Sequence, residues 1–257
     1  MNRMIDDIDL WIPRLTALVE LAGKHLCQIY GEKVEVFEKI DGSPVTNADY
    51  KSHTLLKEGL EKITPHIPVI SEEDETSWNI KSSYYWLIDP LDGTKGFIQK
   101  TGEFCINIAL IENNRPIFGL IYIPLTCESY YGYNGKAWCQ SKEKLVLLQT
   151  RTYPQAGLTL LLGGYGKKFK KEEDFLLKSY PIHKILRIRS AIKFCYIASG
   201  RADLYLRCET CSEWDTAAGH ALVEAAGGIV SNLDGTPFLY GKVNLENNGF
   251  IVFGQKP

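Results

Sequence analysis

The run Trp86-Leu87-Ile88-Asp89-Pro90-Leu91-Asp92-Gly93-Thr94 constrains this chain more than any other segment. Its apolar start reads as a buried strand. That strand ends in an acid, which burial penalises unless a cation or hydrogen bonds compensate it. Pro90 fixes its own φ and removes a donor, so a sharp turn is expected there. Asp89 and Asp92 then stand on either side of a rigid turn, and Gly93 permits close backbone approach by a ligand.

A second acidic run, Ser71-Glu72-Glu73-Asp74-Glu75, follows the short strand Pro68-Val69-Ile70. Alone it reads as a solvated loop. Beside the first run it brings an acid from a neighbouring strand. Bare carboxylates about 4 Å apart repel by roughly 4 kcal/mol per pair at an effective dielectric of 20, and metal ions relieve that repulsion. Oxygen ligands without a nearby His or Cys favour Mg²⁺ over zinc. The Leu91 carbonyl, between the two acids, is a further candidate ligand. A third piece is Glu213-Trp214-Asp215-Thr216-Ala217-Ala218-Gly219. Its small residues let a helix start press closely on a neighbour, with Asp215 in the first turn. An acid there also serves simply to complement the helix dipole.

The rest of the chain supplies a frame. Leu15, Leu18, Val19, Ala22 and Leu26 have helical spacing within residues 6–30, with Gly31 as a stop. A second helix begins at Thr46 or Asn47 and runs to about Ile63. Strands are expected at Val69-Ile70, Tyr84–Asp89, Phe104–Ile111, Ile117–Ile123, Glu128–Tyr133 and Lys136–Cys139, mostly antiparallel. The second half alternates: strands at Leu158–Leu162, Ile185–Ile188, Ala202–Leu206, Ile229–Asn232 and Phe250–Phe253, and helices at Glu172–Lys178, Ala191–Ser199 and Trp214–Ala226. This pattern predicts a mixed sheet covered by helices. Two units are expected, residues 1–148 and 149–257, with the boundary between about 140 and 157.

Composition narrows the function. Of 257 residues, 29 are Lys or Arg and 31 Asp or Glu, a net charge of −2. A broad basic face for polymeric nucleic acid is therefore excluded. The N-terminus is acidic and interrupted, unlike a signal peptide, and no stretch approaches the roughly 18 apolar residues of a membrane span. The seven cysteines are scattered through apolar stretches and read as reduced, mostly buried thiols of a cytoplasmic protein. Cys208 and Cys211 form a C-x-x-C pair with no second pair beside it, so a zinc or redox role is disfavoured.

Together, Ser71-Glu72-Glu73, Asp89-Pro90-Leu91-Asp92-Gly93-Thr94 and Trp214-Asp215-Thr216-Ala217-Ala218-Gly219 resemble the inositol monophosphatase superfamily of magnesium-dependent, lithium-sensitive phosphatases over nearly the whole chain. Within it the sequence looks most like 3'(2'),5'-bisphosphate nucleotidases of the bacterial CysQ type. Ser43-Pro44-Val45-Thr46-Asn47-Ala48-Asp49, Lys95-Gly96-Phe97, Ser190-Ala191-Ile192-Lys193-Phe194-Cys195 and Glu213 carry that likeness. Gly96 departs from it, because CysQ-type proteins often have Glu there.

The resemblance implies a layered α-β-α-β-α sandwich. It implies metal ligation by Glu72, Asp89, Asp92, Asp215 and the Leu91 carbonyl. Four carboxylates match two Mg²⁺ ions, and the substrate phosphate helps hold a third. Thr94 and Asp49 are the implied water-activating pair, although helix capping and a first-turn acid account for them equally well in isolation. Gly93 and Thr94 amides are suited to a phosphate. Ser190, Lys193 and Arg207 are the implied contacts for an uncleaved second phosphate, against a reading of Lys193 and Arg207 as plain surface charge. Trp214 is expected in the core. The implied substrate is 3'-phosphoadenosine 5'-phosphate, cleaved to AMP and phosphate as by-product clearance in sulfate assimilation. The alternatives are an inositol monophosphatase or sugar bisphosphatase, and, from another class, a non-catalytic metal- or nucleotide-binding protein. A monomer or homodimer is expected, in the cytoplasm or at the periphery of the inner membrane.

Overall fold

Ile8, Leu15, Val19, Ala22 and Leu26 are fully buried along one face of α1 (Arg3–Gly31). Full burial of each Ile, Leu or Val among them contributes roughly 1.5–3 kcal/mol. These positions come from a computed structural model, which describes residues 3–32, 34–38, 42, 44–142, 144–163, 174–175 and 178–255. A short antiparallel hairpin, β1 (Val36–Glu38) and β2 (Pro44–Thr46), leads into α2 (Asn47–Ile63). Thr46 is the cap of α2: its hydroxyl accepts from the Ala48 amide, and Asp49 accepts from the Thr46 amide in return. Ser43 of the expected motif lies outside the described residues.

Helices α1 and α2 cover one face of a seven-stranded sheet. Its strands are β3 (Val69–Ser71), β4 (Tyr84–Asp92), β5 (Cys105–Glu112), β6 (Arg115–Ile123), β7 (Glu128–Tyr133), β8 (Lys136–Gln140) and β9 (Leu145–Leu148), in that spatial order. β3 and β4 are parallel and the later pairs antiparallel. Side chains alternate between faces. Trp86, Ile88, Ile106 and Ile108 pack towards α1 and α2, whereas Tyr85, Leu87 and Ala109 join a second core on the other side.

After β4 comes the short helix α3 (Thr94–Ile98). The second sheet contains β10 (Leu158–Leu162), β11 (Ile182–Arg187), β12 (Leu204–Arg207), β14 (Ile229–Asn232) and β16 (Phe250–Phe253), ordered β11-β10-β12-β16-β14. β10 runs parallel to β11 and β12, and β16 antiparallel to β12 and β14. A two-residue ladder, β13 (Cys211–Ser212) with β15 (Glu246–Asn247), lies beside it. Between the two sheets sit α4 (Ile192–Ala198) and α5 (Ala217–Ala225), which share one core with both. The result is the expected layered sandwich of helices and mixed sheets.

The small residues at the start of α5 explain its close seat. A Cβ added to Gly119 of β6 would lie 2.1 Å from the Ala218 carbonyl oxygen, so the helix backbone rests directly on the strand.

Four expectations need correction. β4 does not stop at Asp89 but continues to Asp92, with a register shift against β5 instead of a turn at Pro90. The helix expected from Trp214 begins as a 3₁₀ turn over Glu213–Asp215, and α5 starts only at Ala217 because Thr216 is not helical. β9 falls in a stretch read as linker; its Leu145 and Leu147 are exposed, so no inward-facing period marks it. The cysteines are all free, but only Cys105, Cys195 and Cys211 are buried, while Cys127 and Cys208 are exposed. The helix expected over Glu172–Lys178 falls largely outside the described residues.

Candidate active site

The register shift in β4 sets up the acidic cluster. Asp89 pairs with Asn107 and Asp92 with Cys105, so three residues of β4 span two of β5. In a regular strand, residues three apart point to opposite faces. One extra residue cancels that inversion, so both carboxylates reach the same side. Asp215 arrives from the 3₁₀ turn before α5. One oxygen from each of Asp89, Asp92 and Asp215 lies within 4.8 Å of the others. Glu72 follows β3, and its amide donates to the Ile88 carbonyl at 3.2 Å, which brings it alongside the strand that carries Asp89.

Burial and mutual repulsion raise the proton affinity of these acids. Burial, then Glu72, Asp92 and Asp215, push the Asp89 carboxyl well above its usual range. Burial also raises Asp92, against the opposing pull of Lys193 and the Ala191 amide. Asp215 is pushed up to about 7, by burial first and then by Asp92 and Glu72. Three aspartates held this close, with Glu72 against Asp89, fit hard divalent cations bound through oxygen alone. The Leu91 carbonyl lies in the same bulge and accepts from Thr94 Oγ1 at 3.1 Å.

Asp92 is held by three donors on Oδ2: Asn107 Nδ2 at 3.2 Å, the Cys105 thiol at 3.6 Å and the Ala191 amide. Asn107 also reaches the Trp214 carbonyl at 3.5 Å, so it links Asp92 to the turn bearing Asp215. Sequence reasoning missed Asn107. Its signal was a buried amide side chain inside the otherwise apolar run Cys105-Ile106-Asn107-Ile108.

Thr94 and Asp49 meet beside the cluster. Asp49 Oδ2 caps α2 by accepting from the Thr46 amide and hydroxyl, at 2.7 and 2.6 Å. Its Oδ1 faces Thr94 Oγ1 at 3.2 Å. The capping role and the contact with Thr94 therefore use different oxygens of one carboxylate. Asp49 is 1% exposed, and burial raises its pKa to about 6. Gly93 has φ 95°, and a Cβ there would meet the Glu103 carbonyl at 2.5 Å. It is thus required for chain packing as well as for opening the cleft.

A cleft of about 340 Å³ runs from Glu72, Gly93 and Thr94 to Ser190, Lys193 and Arg207. Ser190 has φ 59°, a left-handed conformation uncommon for a side-chain residue. Lys193 Nζ donates to the Ser190 and Ile188 carbonyls at 2.5 and 3.2 Å and lies 5.0 Å from the Tyr205 ring centre. It is 4% exposed, so it is not plain surface charge, and burial lowers its pKa to about 8. Arg207 Nη2 donates to the Thr210 carbonyl at 3.1 Å, while its Nε is buried without a hydrogen-bond partner.

Trp214 is buried and packs on Trp78 with ring centres 5.2 Å apart. Glu213 is fully buried and accepts from the Gly241 and Lys242 amides at 2.7 and 3.0 Å, which anchors the loop beside Asp215. Neither Cys208 nor Cys211 joins the acidic cluster's ligand set; Cys208 is exposed, and Cys211 is buried beside Asp215. No helix among the described residues is long and apolar enough to cross a membrane.

Residues 8–250 match the inositol monophosphatase family. The chain is 39% identical over 246 residues to the 3'(2'),5'-bisphosphate nucleotidase CysQ of Escherichia coli K12, covering 94% of this chain and 98% of that one. The crystal structure of CysQ from Bacteroides thetaiotaomicron superposes with a TM-score of 0.80 at 32% identity, covering 93% of this chain and 95% of the other. An inositol monophosphatase from Anabaena shares the fold at a TM-score of 0.72 and 24% identity, over 96% and 91% of the two chains. By fold and sequence alike, the chain belongs to the inositol monophosphatase family.

Proposed function

We propose that this protein is a Mg²⁺-dependent 3'(2'),5'-bisphosphate nucleotidase that hydrolyses the 3'-phosphate of 3'-phosphoadenosine 5'-phosphate to give AMP and phosphate. The observation that carries this reading is one cleft lined both by Glu72 and Thr94, beside the acidic cluster, and by the cations Lys193 and Arg207. A monophosphatase needs only the first set. A substrate with two phosphates uses both. Identity of 39% to CysQ nucleotidases over nearly the full length supports the same substrate class.

Glu72, Asp89, Asp92, Asp215 and the Leu91 carbonyl would hold two Mg²⁺ ions, with a third shared by the substrate phosphate. When bound, such ions neutralise phosphoryl oxygens and make bound water more acidic. The protein's own part is positioning and proton transfer. Thr94 Oγ1 takes a proton from the attacking water and passes its own to Asp49 Oδ1, its neighbour at 3.2 Å. Water attacks phosphorus in line with the leaving 3'-oxygen, which takes up a proton from solvent as the P–O bond breaks, and no phospho-enzyme forms. Gly93 and Thr94 amides steady the scissile phosphate, and Ser190, Lys193 and Arg207 receive the other one. The cleft suits a single nucleotide, in keeping with a chain that lacks a broad basic face. A role in clearing the by-product of sulfate assimilation follows from that chemistry.

Phosphate release from 3'-phosphoadenosine 5'-phosphate, inositol 1-phosphate and fructose 1,6-bisphosphate tests the reading, each with Mg²⁺, EDTA and Li⁺. Mg²⁺-dependent, Li⁺-sensitive turnover that favours the nucleotide is expected. Equal or greater activity on inositol 1-phosphate would sink it, and no turnover of any of the three would favour a binding protein.

A further inference from the structure

Besides Lys193 and Arg207, the cations Lys95 and Arg189 line the cleft, and neither the motifs nor the family match single out Arg189. It directly precedes Ser190 and Ala191, the turn whose amide holds Asp92. Its Nε lies 3.8 Å from Glu103 Oε2, and both side chains are 24% exposed. Glu103 belongs to the segment between α3 and β5. Its carbonyl packs on Gly93 and Gly96, where an added Cβ would lie 2.5 and 2.9 Å away. The acid is therefore fixed to the turn that carries Thr94, while Arg189 is fixed to the turn before α4. The contact joins Arg189, which lines the cleft, to the segment packed behind Gly93 and Gly96.

At 3.8 Å this is a long ion pair with about a quarter of each side chain open to water, and so long and partly exposed a contact holds little energy. A phosphate is a stronger partner for a guanidinium, because two oxygens fit its planar fork. We propose that Arg189 is a specificity-determining residue for the uncleaved phosphate of the substrate, and that Glu103 competes for it when the cleft lacks that phosphate. The inference rests on the bisphosphate reading given above. The second phosphate exchanges for Glu103, and a substrate with one phosphate leaves the Arg189–Glu103 pair in place. Arg189 thereby adds affinity only for substrates carrying both groups, on top of what Lys193 and Arg207 supply.

The test is steady-state kinetics of wild type, Arg189→Gln and Glu103→Gln on 3'-phosphoadenosine 5'-phosphate and on inositol 1-phosphate, with melting temperatures recorded for all three. Loss of one charge-assisted contact predicts KM for the bisphosphate higher by roughly tenfold or more in Arg189→Gln, with kcat within about twofold. KM for inositol 1-phosphate stays unchanged. Glu103→Gln, which removes the competitor, lowers KM for the bisphosphate. A purely structural clasp gives the opposite pattern: both variants lose activity on both substrates and melt earlier, and that result overturns the proposal. So does an unchanged bisphosphate KM in Arg189→Gln while wild type keeps its preference for the nucleotide; the functional reading then survives. If wild type itself shows no such preference, the reading fails, and the Arg189 assignment fails with it.

Discussion

Thr94 Oγ1 stands 3.2 Å from Asp49 Oδ1, across 45 positions of sequence. The other Asp49 oxygen is committed to the Thr46 cap, so the carboxylate cannot rotate away from Thr94 without uncapping α2. Burial raises the Asp49 pKa to about 6. The base form is the anion, so activity is predicted to fall as pH drops through about 6, with a slope of one proton. Asp49→Asn should lower kcat by roughly 10²- to 10⁴-fold. A pH–rate profile of log kcat checks both; a wild-type profile flat down to pH 5 would remove Asp49 from proton transfer.

Asp92→Asn is predicted to abolish turnover by weakening cation binding. The milder test is Asn107→Ala, which removes a donor from Asp92 Oδ2 and the link to the Trp214 carbonyl. Loss of such a supporting contact typically costs roughly 10- to 100-fold in metal affinity. Mg²⁺ titration of activity should show that shift, with turnover restored at high Mg²⁺. Wild-type Mg²⁺ dependence in Asn107→Ala would show that Asp92 is held without it.

The metal-free protein should lose stability as pH rises. Asp89, Asp92 and Asp215 all have folded-state pKa values above the usual carboxylate value. Such groups favour the folded state fully below their unfolded pKa, and that contribution is lost as pH climbs through the folded pKa, about 7 for Asp215. Melting temperature in EDTA is therefore expected to fall between about pH 4 and 7. Added Mg²⁺ should raise it most at the upper end, where the ligands are ionised. Equal Mg²⁺ stabilisation at pH 5 and pH 8 would contradict this.

Lys193→Ala is predicted to raise KM for the bisphosphate with little loss on a monophosphate. Lys193 also ties the Ile188 and Ser190 carbonyls together, so some loss of thermal stability accompanies it. Equal kinetic losses on both substrates would leave only that tying role.

Much of the site was legible because its residues break local rules. Acids that end an apolar strand at Asp89 and Asp92, and a small-residue helix start after Asp215, conflict with simple burial, a conflict that the proposed cation binding would resolve. The layers were legible for the same reason that periodicity works: α1 and β4 each bury a regular set of positions. Pro90 misled, because a proline reads as a turn, whereas here it occupies a bulge whose register depends on the partner strand β5. Asn107 and Arg189 carry no motif, and their meaning comes from Asp92 and Glu103, which are distant in sequence. β9 is an edge strand with exposed leucines, and no local pattern separates it from a loop.

The most direct test of the central claim is the identity of the nucleotide formed from 3'-phosphoadenosine 5'-phosphate with Mg²⁺ present, read by phosphorus NMR or chromatography. Binding of the 3'-phosphate at the acidic cluster and the 5'-phosphate at Ser190, Lys193 and Arg207 predicts adenosine 5'-phosphate as the sole nucleotide product. Adenosine 3'-phosphate, or unconverted substrate, would contradict it.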